Sequence, residues 1–220
     1  MKIPQKKAYI PALKYHWLTR FYDPLIEWGM QEKKMKMKLV NQASLQPGEQ
    51  VMDLACGTGT LALLLQQSQP GIQVIGVDAD PEILAIANSK MKENRANSIL
   101  FEEGFSDQLP FSTNLFHHVF TSLFIHHLTL EKKKETFEEV RRVLKSGGQF
   151  HLLDFEKPQN GMMRAAFLPV QILDGFKTTS PHVKGIIPDL LKETEFAAIE
   201  ETGQFSTILG TLRTYRAFKP

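Results

Sequence analysis

A short apolar strand that runs into a glycine turn is the feature that most constrains the fold of this 220-residue chain. Residues 51–54 are mostly apolar, Gly57 and Gly59 form the turn, and Leu61 begins an apolar helical pattern. The glycines let the backbone approach a ligand closely, and the N–H groups of the new helix face its polar atoms. A second apolar strand ends at Asp78, about where a ribose-binding acid belongs in a βαβ unit. These features predict a protein that holds an adenosine-containing cofactor.

The acidic residue before the turn distinguishes between two such cofactors. Residues 57–62 also satisfy the G-x-G-x-x-A pattern of NAD enzymes, so an NAD-dependent oxidoreductase is one alternative. Asp53 argues against it, because a fixed carboxylate there would repel a pyrophosphate. The same carboxylate suits the sulfonium and the α-amino group of S-adenosylmethionine. A plain strand-end residue that caps the next helix is the structural alternative for Asp53.

Four segments between residues 45 and 155 have the order and spacing of a known family. They read VMDLACGTGT (51–60), VIGVDADPEIL (74–84), EGFSDQLPF with NLFHHVFTSLFIHHL (103–111 and 114–128), and EEVRRVLKSGGQFHLLDF (138–155). In these segments the chain resembles the class I S-adenosylmethionine-dependent methyltransferases, most closely the branch that includes ubiquinone/menaquinone C-methyltransferases and phospholipid N-methyltransferases. The resemblance implies S-adenosylmethionine as cofactor, S-adenosylhomocysteine as its product, and a small organic molecule as methyl acceptor.

The resemblance also implies which residues contact the cofactor. Asp78 would hold the ribose hydroxyls, and Asp53 would anchor the amino group of the methionine part, directly or through water. Ser106 would offer its backbone N–H to the adenine. The remaining implied contacts are Ala55, Gly57, Gly59 and Ser122 around the methionine part, Ala79 and Ile83 beside the adenine, and Tyr22 in the N-terminal segment.

Three positions depart from the family pattern. Ala55 replaces the first glycine of the D-x-G-x-G-x-G loop, and we expect its methyl group to be tolerated if the residue has a negative φ. Phe105 replaces the acidic residue that contacts the adenine amino group, and His117 replaces an aspartate. We expect the fold and cofactor binding to be kept. A cofactor-binding protein that has lost catalysis is the alternative that these changes leave open.

A pair of histidines follows the fourth predicted strand. We expect His126 to face the methyl group of the cofactor and to act as a base. A dedicated base is dispensable if positioning supplies most of the rate, and this alternative stays open. Adjacent histidines on an extended segment point to opposite sides, so we predict no metal site at His126 and His127.

Alternating strand and helix patterns predict an α/β fold. We expect a Rossmann-like, seven-stranded, mostly parallel sheet with helices on both faces and a C-terminal antiparallel hairpin strand. The predicted strands lie near 50–54, 73–77, 98–102, 117–122, 148–155, 198–206 and 209–218, and the helices near 60–68, 81–94, 131–145 and 186–194. Residues 46–220 would form this methyltransferase domain. The aromatic-rich residues 1–45 would form a helical lid over the cofactor or, alternatively, a plain helix packed on the sheet.

Composition limits the partners and the location. A formal net charge of +2 provides no strongly basic face for nucleic acid. The single cysteine and the lack of an apolar signal core at the N-terminus predict a cytoplasmic protein. The basic run at residues 33–38 predicts a solvated helix face, with a transient contact with a membrane surface as the alternative. The methionine-rich segment 161–170 predicts a lipophilic acceptor pocket or a buried structural helix.

Overall fold

Seven strands form one sheet in the part of the chain that the computed structural model describes, residues 32–94 and 98–220. The strands are β1 (Gln50–Leu54), β2 (Gln73–Asp78), β3 (Ile99–Glu103), β4 (Phe116–Ser122), β5 (Leu144–Phe155), β6 (Ala197–Thr207) and β7 (Gly210–Phe218). Their order across the sheet is β3-β2-β1-β4-β5-β7-β6. The first five strands pair in parallel, and β7 is antiparallel to β5 and β6. The predicted α/β fold with an antiparallel C-terminal hairpin is confirmed.

In the described residues, helices precede β1 and connect β1 to β2, β2 to β3, β4 to β5 and β5 to β6. They are α1 (Glu32–Asn41), α2 (Thr60–Ser68), α3 (Pro81–Glu93), a 3₁₀ helix (Ile125–His127), α4 (Leu130–Val143), α5 (Gly161–Ala166), α6 (Leu168–Asp174), α7 (Phe176–Lys184) and α8 (Ile187–Glu193). Local chemistry accounts for the start of α3. Pro81 occupies its first turn, and the side chain of Asp80 accepts the N–H of Glu82 at 2.9 Å.

The order of the strands places a crevice at one edge of the sheet. From β1 the chain builds outward through β2 to β3, and then crosses back so that β4 lies on the other side of β1. In open α/β sheets, ligands bind outside the carboxyl ends of the strands at such a switch point. Asp53, Asp78 and Ser122, near the ends of β1, β2 and β4, therefore reach the same edge.

Residues of β1 pack alternately on the two faces of the sheet. Val51 is buried in one cluster with Leu39 of α1 and Leu65 of α2. Its neighbour Met52 is buried on the other face, in a cluster with Phe137 of α4. A parallel strand covered by helices on both faces has this pattern, which explains why β1 reads as a nearly continuous apolar run.

Helix α1 lies in the segment that the sequence assigns to the N-terminal extension. Its Met35 and Lys36 are buried, and Lys36 pairs with Glu32 at 2.5 Å. The predicted solvated face is therefore wrong for Lys36, because α1 packs against α2 and β5. Residues 1–31, with Tyr22 and the predicted aromatic lid, lie outside the described residues. None of the described helices is long and apolar enough to cross a membrane.

Two regions differ from the predicted boundaries. Strand β5 begins at Leu144, before the predicted start near residue 148, because Leu144 pairs with Phe116 ahead of an irregular stretch. Residues 161–193 form four short helices where the sequence predicts one near its end. In the methionine-rich segment 161–170, α5 has no buried residue, whereas Phe167 and Val170 are buried, so the buried-helix alternative is wrong for Gly161–Ala166 and holds only for the end of the segment.

Candidate functional site

The loop between β1 and α2 is built from residues in the left-handed backbone region. Ala55 has φ 56°, Gly57 φ 53° and Gly59 φ 75°. The expectation of a negative φ at Ala55 is therefore wrong, and its methyl group carries a backbone cost of about 1 kcal/mol that glycine avoids. A side chain on Gly57 would meet no atom within 4 Å, whereas one on Gly59 would approach the Phe101 ring to 2.9 Å. The loop thus keeps open space above Gly57 at the carboxyl edge.

Asp78 ties this loop to the neighbouring strand. The N–H of Gly57 donates to its Oδ2 at 2.9 Å, and the N–H of Asp80 donates to its Oδ1 at 3.1 Å. Burial raises the pKa of Asp78, and the backbone N–H groups partly offset that rise. Each carboxylate oxygen retains a lone pair, so Asp78 can also accept from hydroxyl groups. The half-buried Ala79 follows it directly, and the half-buried Ile83 lies in the first turn of α3.

Asp53 is buried under the loop with an unsatisfied oxygen. Its side chain is 1% exposed, and no described residue donates a hydrogen bond to Oδ2. Burial raises its pKa to about 7, although nearby Lys36 and the N–H of Ala62 lower it. Ala62 belongs to the first turn of α2, so the Asp53 carboxylate lies close to the start of that helix. The remaining acceptor oxygen fits an ammonium group, because a buried carboxylate oxygen without a donor is costly.

The segment after β3 closes the site on the side of β2. The N–H of Gly104 donates to the carbonyl of Asp78 at 3.0 Å, which brings this segment to the strand end. The hydroxyl of Ser106 bonds to that of Thr136 at 2.8 Å, and Phe105 is half-buried and bridges to Gln108. The Ser106 side chain is therefore engaged with α4, and only its backbone is available for the contact that the resemblance implies.

Arg142 holds the same segment against α4. Its guanidinium donates to the carbonyls of Phe111 at 2.7 Å and Leu109 at 3.0 Å. Glu139 accepts hydrogen bonds from the same guanidinium and from the N–H of Leu109. The hydrogen bond from Arg142 is the main reason that the pKa of Glu139 is lowered. Arg142 lies within one of the four segments that carry the resemblance, and the structure shows that it fixes residues 109–111 beside α4.

His126 is paired with a buried aspartate that sequence analysis missed. Its Nδ1 lies 2.6 Å from Oδ1 of Asp154, which is fully buried at the end of β5. Asp154 also accepts the N–H groups of Phe124, His126 and Phe155. Burial alone would raise the pKa of Asp154, but the His126 charge and these hydrogen bonds hold it well below its usual range. Because a carboxylate only accepts, a neutral His126 carries its hydrogen on Nδ1 and presents a lone pair on Nε2.

Asp174, at the end of α6, faces both histidines. Its carboxylate lies 3.6 Å from Nε2 of His126 and 3.5 Å from Nδ1 of His127. The histidines lie on a 3₁₀ helix, and their ring centroids are 4.0 Å apart. The expectation that they point to opposite sides is therefore wrong, and with it the geometric argument against a metal site. Ser122 lies four positions before His126, at the end of β4.

Comparisons with known proteins point to one family. The sequence profile described as methyltransferase domain matches residues 51–148. The chain is 34% identical over 151 residues to an uncharacterized methyltransferase of Synechocystis, covering 68% of each chain. It is 33% identical over 136 residues to the demethylmenaquinone methyltransferase of Chlorobaculum parvum, covering 62% of this chain. The chain matches only about half of the length of that relative (51%).

Solved structures show the same fold. The YcgJ protein of Bacillus subtilis superposes with a TM-score of 0.70 at 18% identity, covering 84% of this chain and 98% of its own. A phosphoethanolamine N-methyltransferase of Haemonchus contortus, in complex with S-adenosyl-L-methionine, gives 0.71 at 16% identity, covering 85% of this chain and 52% of its own.

Proposed function

The chain belongs to the class I S-adenosylmethionine-dependent methyltransferases, and on that premise we propose that it transfers a methyl group to a small organic acceptor held beside His126. The cofactor supplies a methyl group already activated by the adjacent sulfonium charge. The residues of this chain then have two tasks, which are to bind the cofactor and to position the acceptor.

The unsatisfied Oδ2 of Asp53 is the observation that carries the cofactor part of the proposal. A buried carboxylate next to a glycine loop is matched by a ligand that brings a positive charge and hydrogen-bond donors. The amino group of S-adenosylmethionine has both, whereas the pyrophosphate of NAD has neither. Asp78 would accept from the ribose hydroxyls through its remaining lone pairs, and the open space at Gly57 would admit the methionine part.

For the acceptor, we propose a lipophilic molecule with an ionisable hydroxyl. Relatives of this chain are demethylmenaquinone methyltransferases, whose name gives a quinone as their substrate. Large apolar side chains are exposed around Asp174, the aspartate that faces His126; they are Leu168, Ile172, Leu173 and Phe176. An apolar acceptor would cover such a surface.

We propose His126 as the group that takes the proton of the acceptor hydroxyl. Asp154 would act as a positioning residue, because it fixes the ring and leaves the Nε2 lone pair free. The arrangement is the histidine–carboxylate part of a catalytic triad, in which the carboxylate selects the tautomer and does not itself take up the proton.

Ligand titration tests the proposal first. We expect calorimetry to show binding of S-adenosylhomocysteine at one site per chain and no binding of NADH. The reverse result would make the chain an oxidoreductase. Transfer of a labelled methyl group is then measured with reduced naphthoquinones, phenols and amines as acceptors. Binding of S-adenosylhomocysteine without transfer to any of them would favour a cofactor-binding protein that has lost catalysis.

A further inference from the structure

Three side chains outside the cofactor loop converge at the carboxyl ends of β4 and β5. We propose that they bind one divalent transition-metal ion, best matched by Zn²⁺, through Nε2 of His126, Nδ1 of His127 and a carboxylate oxygen of Asp174. The ligand atoms of these residues all lie within 4.8 Å of one another.

The distances favour metal ligation over hydrogen bonding. The carboxylate of Asp174 is 3.6 Å from Nε2 of His126 and 3.5 Å from Nδ1 of His127. Both separations are longer than a normal hydrogen bond. Zinc bonds of about 2.0–2.2 Å in a tetrahedron place neighbouring ligand atoms roughly 3.3 Å apart. Each of the two Asp174 oxygens therefore needs to move only a few tenths of an ångström relative to the imidazole nitrogen that it faces, within a cluster whose ligand atoms all lie within 4.8 Å of one another.

The ligand groups have no competing partners in the described part of the chain. No hydrogen bond to the Asp174 carboxylate or to the His127 ring occurs there, and the two groups face each other and His126. Two imidazoles and one carboxylate form a donor set that zinc and other late transition metals prefer, whereas Mg²⁺ and Ca²⁺ prefer oxygen donors. Three protein ligands leave a fourth position open, as in catalytic zinc sites.

Asp154 provides the outer contact that such sites require. It holds Nδ1 of His126 at 2.6 Å and is itself fixed by three backbone N–H groups. A carboxylate behind a ligating histidine orients the ring and makes the metal-binding nitrogen more basic. Asp154 therefore orients the Nε2 lone pair of His126 toward the proposed metal site.

The charges around the site are compatible with a cation. The buried Lys133 donates to the carbonyls of Leu128 and Thr178 and is not a ligand, and burial lowers its pKa to about 8. The ring of His127 is half-buried and faces the carboxylate of Asp174. The carboxylates of Asp154 and Asp174 balance the charge of a divalent ion.

The chemical consequence rests on the proposed function, but the metal site does not. An ion on Nε2 takes the place of the proton that His126 would otherwise accept. In its open position it would bind the acceptor oxygen and lower the pKa of the hydroxyl, whose proton would then pass to solvent because His126 would be a ligand and not a base. Metal binding is therefore measured without cofactor or acceptor, so that its failure leaves the methyltransferase proposal intact.

The experiment titrates Zn²⁺ into chelator-treated full-length protein against a chromogenic chelator. We expect one ion per chain, and we expect Asp174→Asn and His127→Phe each to weaken binding by about 100-fold or more. Asp154→Asn should weaken it by about 10–100-fold, because it removes only the orienting carboxylate. The matched control is Asp189→Asn, an exposed carboxylate on α8, which should leave Zn²⁺ affinity unchanged.

Co²⁺ loaded into the wild-type protein gives a second readout if a variant does not fold. Intense visible absorption bands of four-coordinate cobalt would support the site, and weak bands of six-coordinate aqueous cobalt would overturn it. Zn²⁺ affinity that is equal in the wild type, Asp174→Asn and His127→Phe would also overturn it. Binding of S-adenosylhomocysteine to the same samples shows separately whether the cofactor site is intact.

Discussion

The backbone N–H of Gly57 donates a 2.9 Å hydrogen bond to Oδ2 of Asp78, and this bond joins the glycine loop to the end of β2. The N–H of Cys56 donates to the carbonyl of Val77 beside it, so the pairing of β1 with β2 continues into the loop. Asp78 therefore has a structural task in addition to the ribose contact that the resemblance implies. Substitutions that separate the two tasks are the most informative.

Asp78→Asn and Asp78→Ala provide that separation. Asparagine can still accept the Gly57 N–H through its amide oxygen, but it loses the charge that strengthens bonds to ribose hydroxyls. We expect Asp78→Asn to weaken S-adenosylhomocysteine binding by about tenfold and to cost about 1 kcal/mol or less of unfolding free energy, because only the Asp80 N–H loses its acceptor. Asp78→Ala should weaken it further and cost about 1–2 kcal/mol of unfolding free energy, because two backbone donors lose their partner. Calorimetry and urea unfolding measure the two quantities. Unchanged affinity in both variants would leave Asp78 only its structural task.

Ala55→Gly should stabilise the protein. At φ 56°, alanine adopts a left-handed conformation that is unfavourable for it and that glycine adopts freely. The stability gained by removing this strain exceeds the stability lost through the greater flexibility of glycine in the unfolded chain. We expect the free energy of unfolding to rise by about 0.5–1 kcal/mol, measured in urea. Ala85→Gly is the matched control, since the exposed Ala85 lies inside α3 and should lose about 1 kcal/mol. A loss of stability in both variants would contradict the strain at Ala55.

The half of the fold from β1 to β4 was predictable from the sequence because its signals are local. The strands β1, β2 and β4 are short apolar runs, and Asp80 with Pro81 marks the start of α3. Residues 161–193 gave weaker signals, because Pro169, Pro181 and Gly175 break their helical periodicity.

The site was predictable on the cofactor side and only partly on the acceptor side. Like Asp53 and Asp78, Asp154 is an acid near the end of an apolar strand, so the sequence could have predicted it as a site residue. Asp174 has no such signal, because its contact with His126 and His127 depends on how α6 packs against the 3₁₀ helix. The positive φ at Ala55 could not be predicted from the sequence either, since alanine rarely adopts the left-handed region.

A buried chain of hydrogen bonds predicts a dependence of stability on pH. Gln42 contacts Nδ1 of His151 at 2.9 Å, Nε2 of His151 contacts Nδ1 of His118 at 3.1 Å, and Nε2 of His118 lies 3.3 Å from Glu49. Burial lowers the pKa of His118 and holds that of His151 well below its usual range. The unfolded chain therefore binds more protons than the folded chain below about pH 6.5, and the stability that these histidines contribute is lost as the pH falls through that value.

His151→Gln tests this dependence, because a glutamine can donate to His118 and accept from Gln42. At pH 7.5 we expect a loss of about 1–2 kcal/mol, since the ring stacks on Phe120 at 4.4 Å. At pH 5.5 the loss should be smaller by roughly 1 kcal/mol, because the variant no longer carries the buried imidazole. Urea unfolding of both proteins at the two pH values measures the difference. An equal loss at both values would contradict the lowered pKa of His151.

Asp53 combines a cost to stability with a gain in binding. Its pKa is raised from 3.8 to about 7 by burial, so the folded state resists its ionisation. The penalty is absent below the unfolded pKa and grows as the pH rises toward about 7, beyond which it is complete. The same ionised carboxylate is what the amino group of the cofactor needs.

Asp53→Asn should therefore raise stability and reduce cofactor binding in the same protein. At pH 8 we expect a higher melting temperature, by roughly 2–4 °C for each kcal/mol of penalty removed, together with at least tenfold weaker S-adenosylhomocysteine binding. In the wild type, affinity should rise between pH 6 and pH 8 as Asp53 ionises, and in Asp53→Asn this rise should disappear. Differential scanning calorimetry and isothermal titration at both pH values provide the data, with Asp189→Asn as the control; this exposed acid in the first turn of α8 should leave affinity unchanged and should not raise the melting temperature. Unchanged affinity with raised stability would make Asp53 only a cap of α2 and would remove the observation on which the cofactor assignment depends.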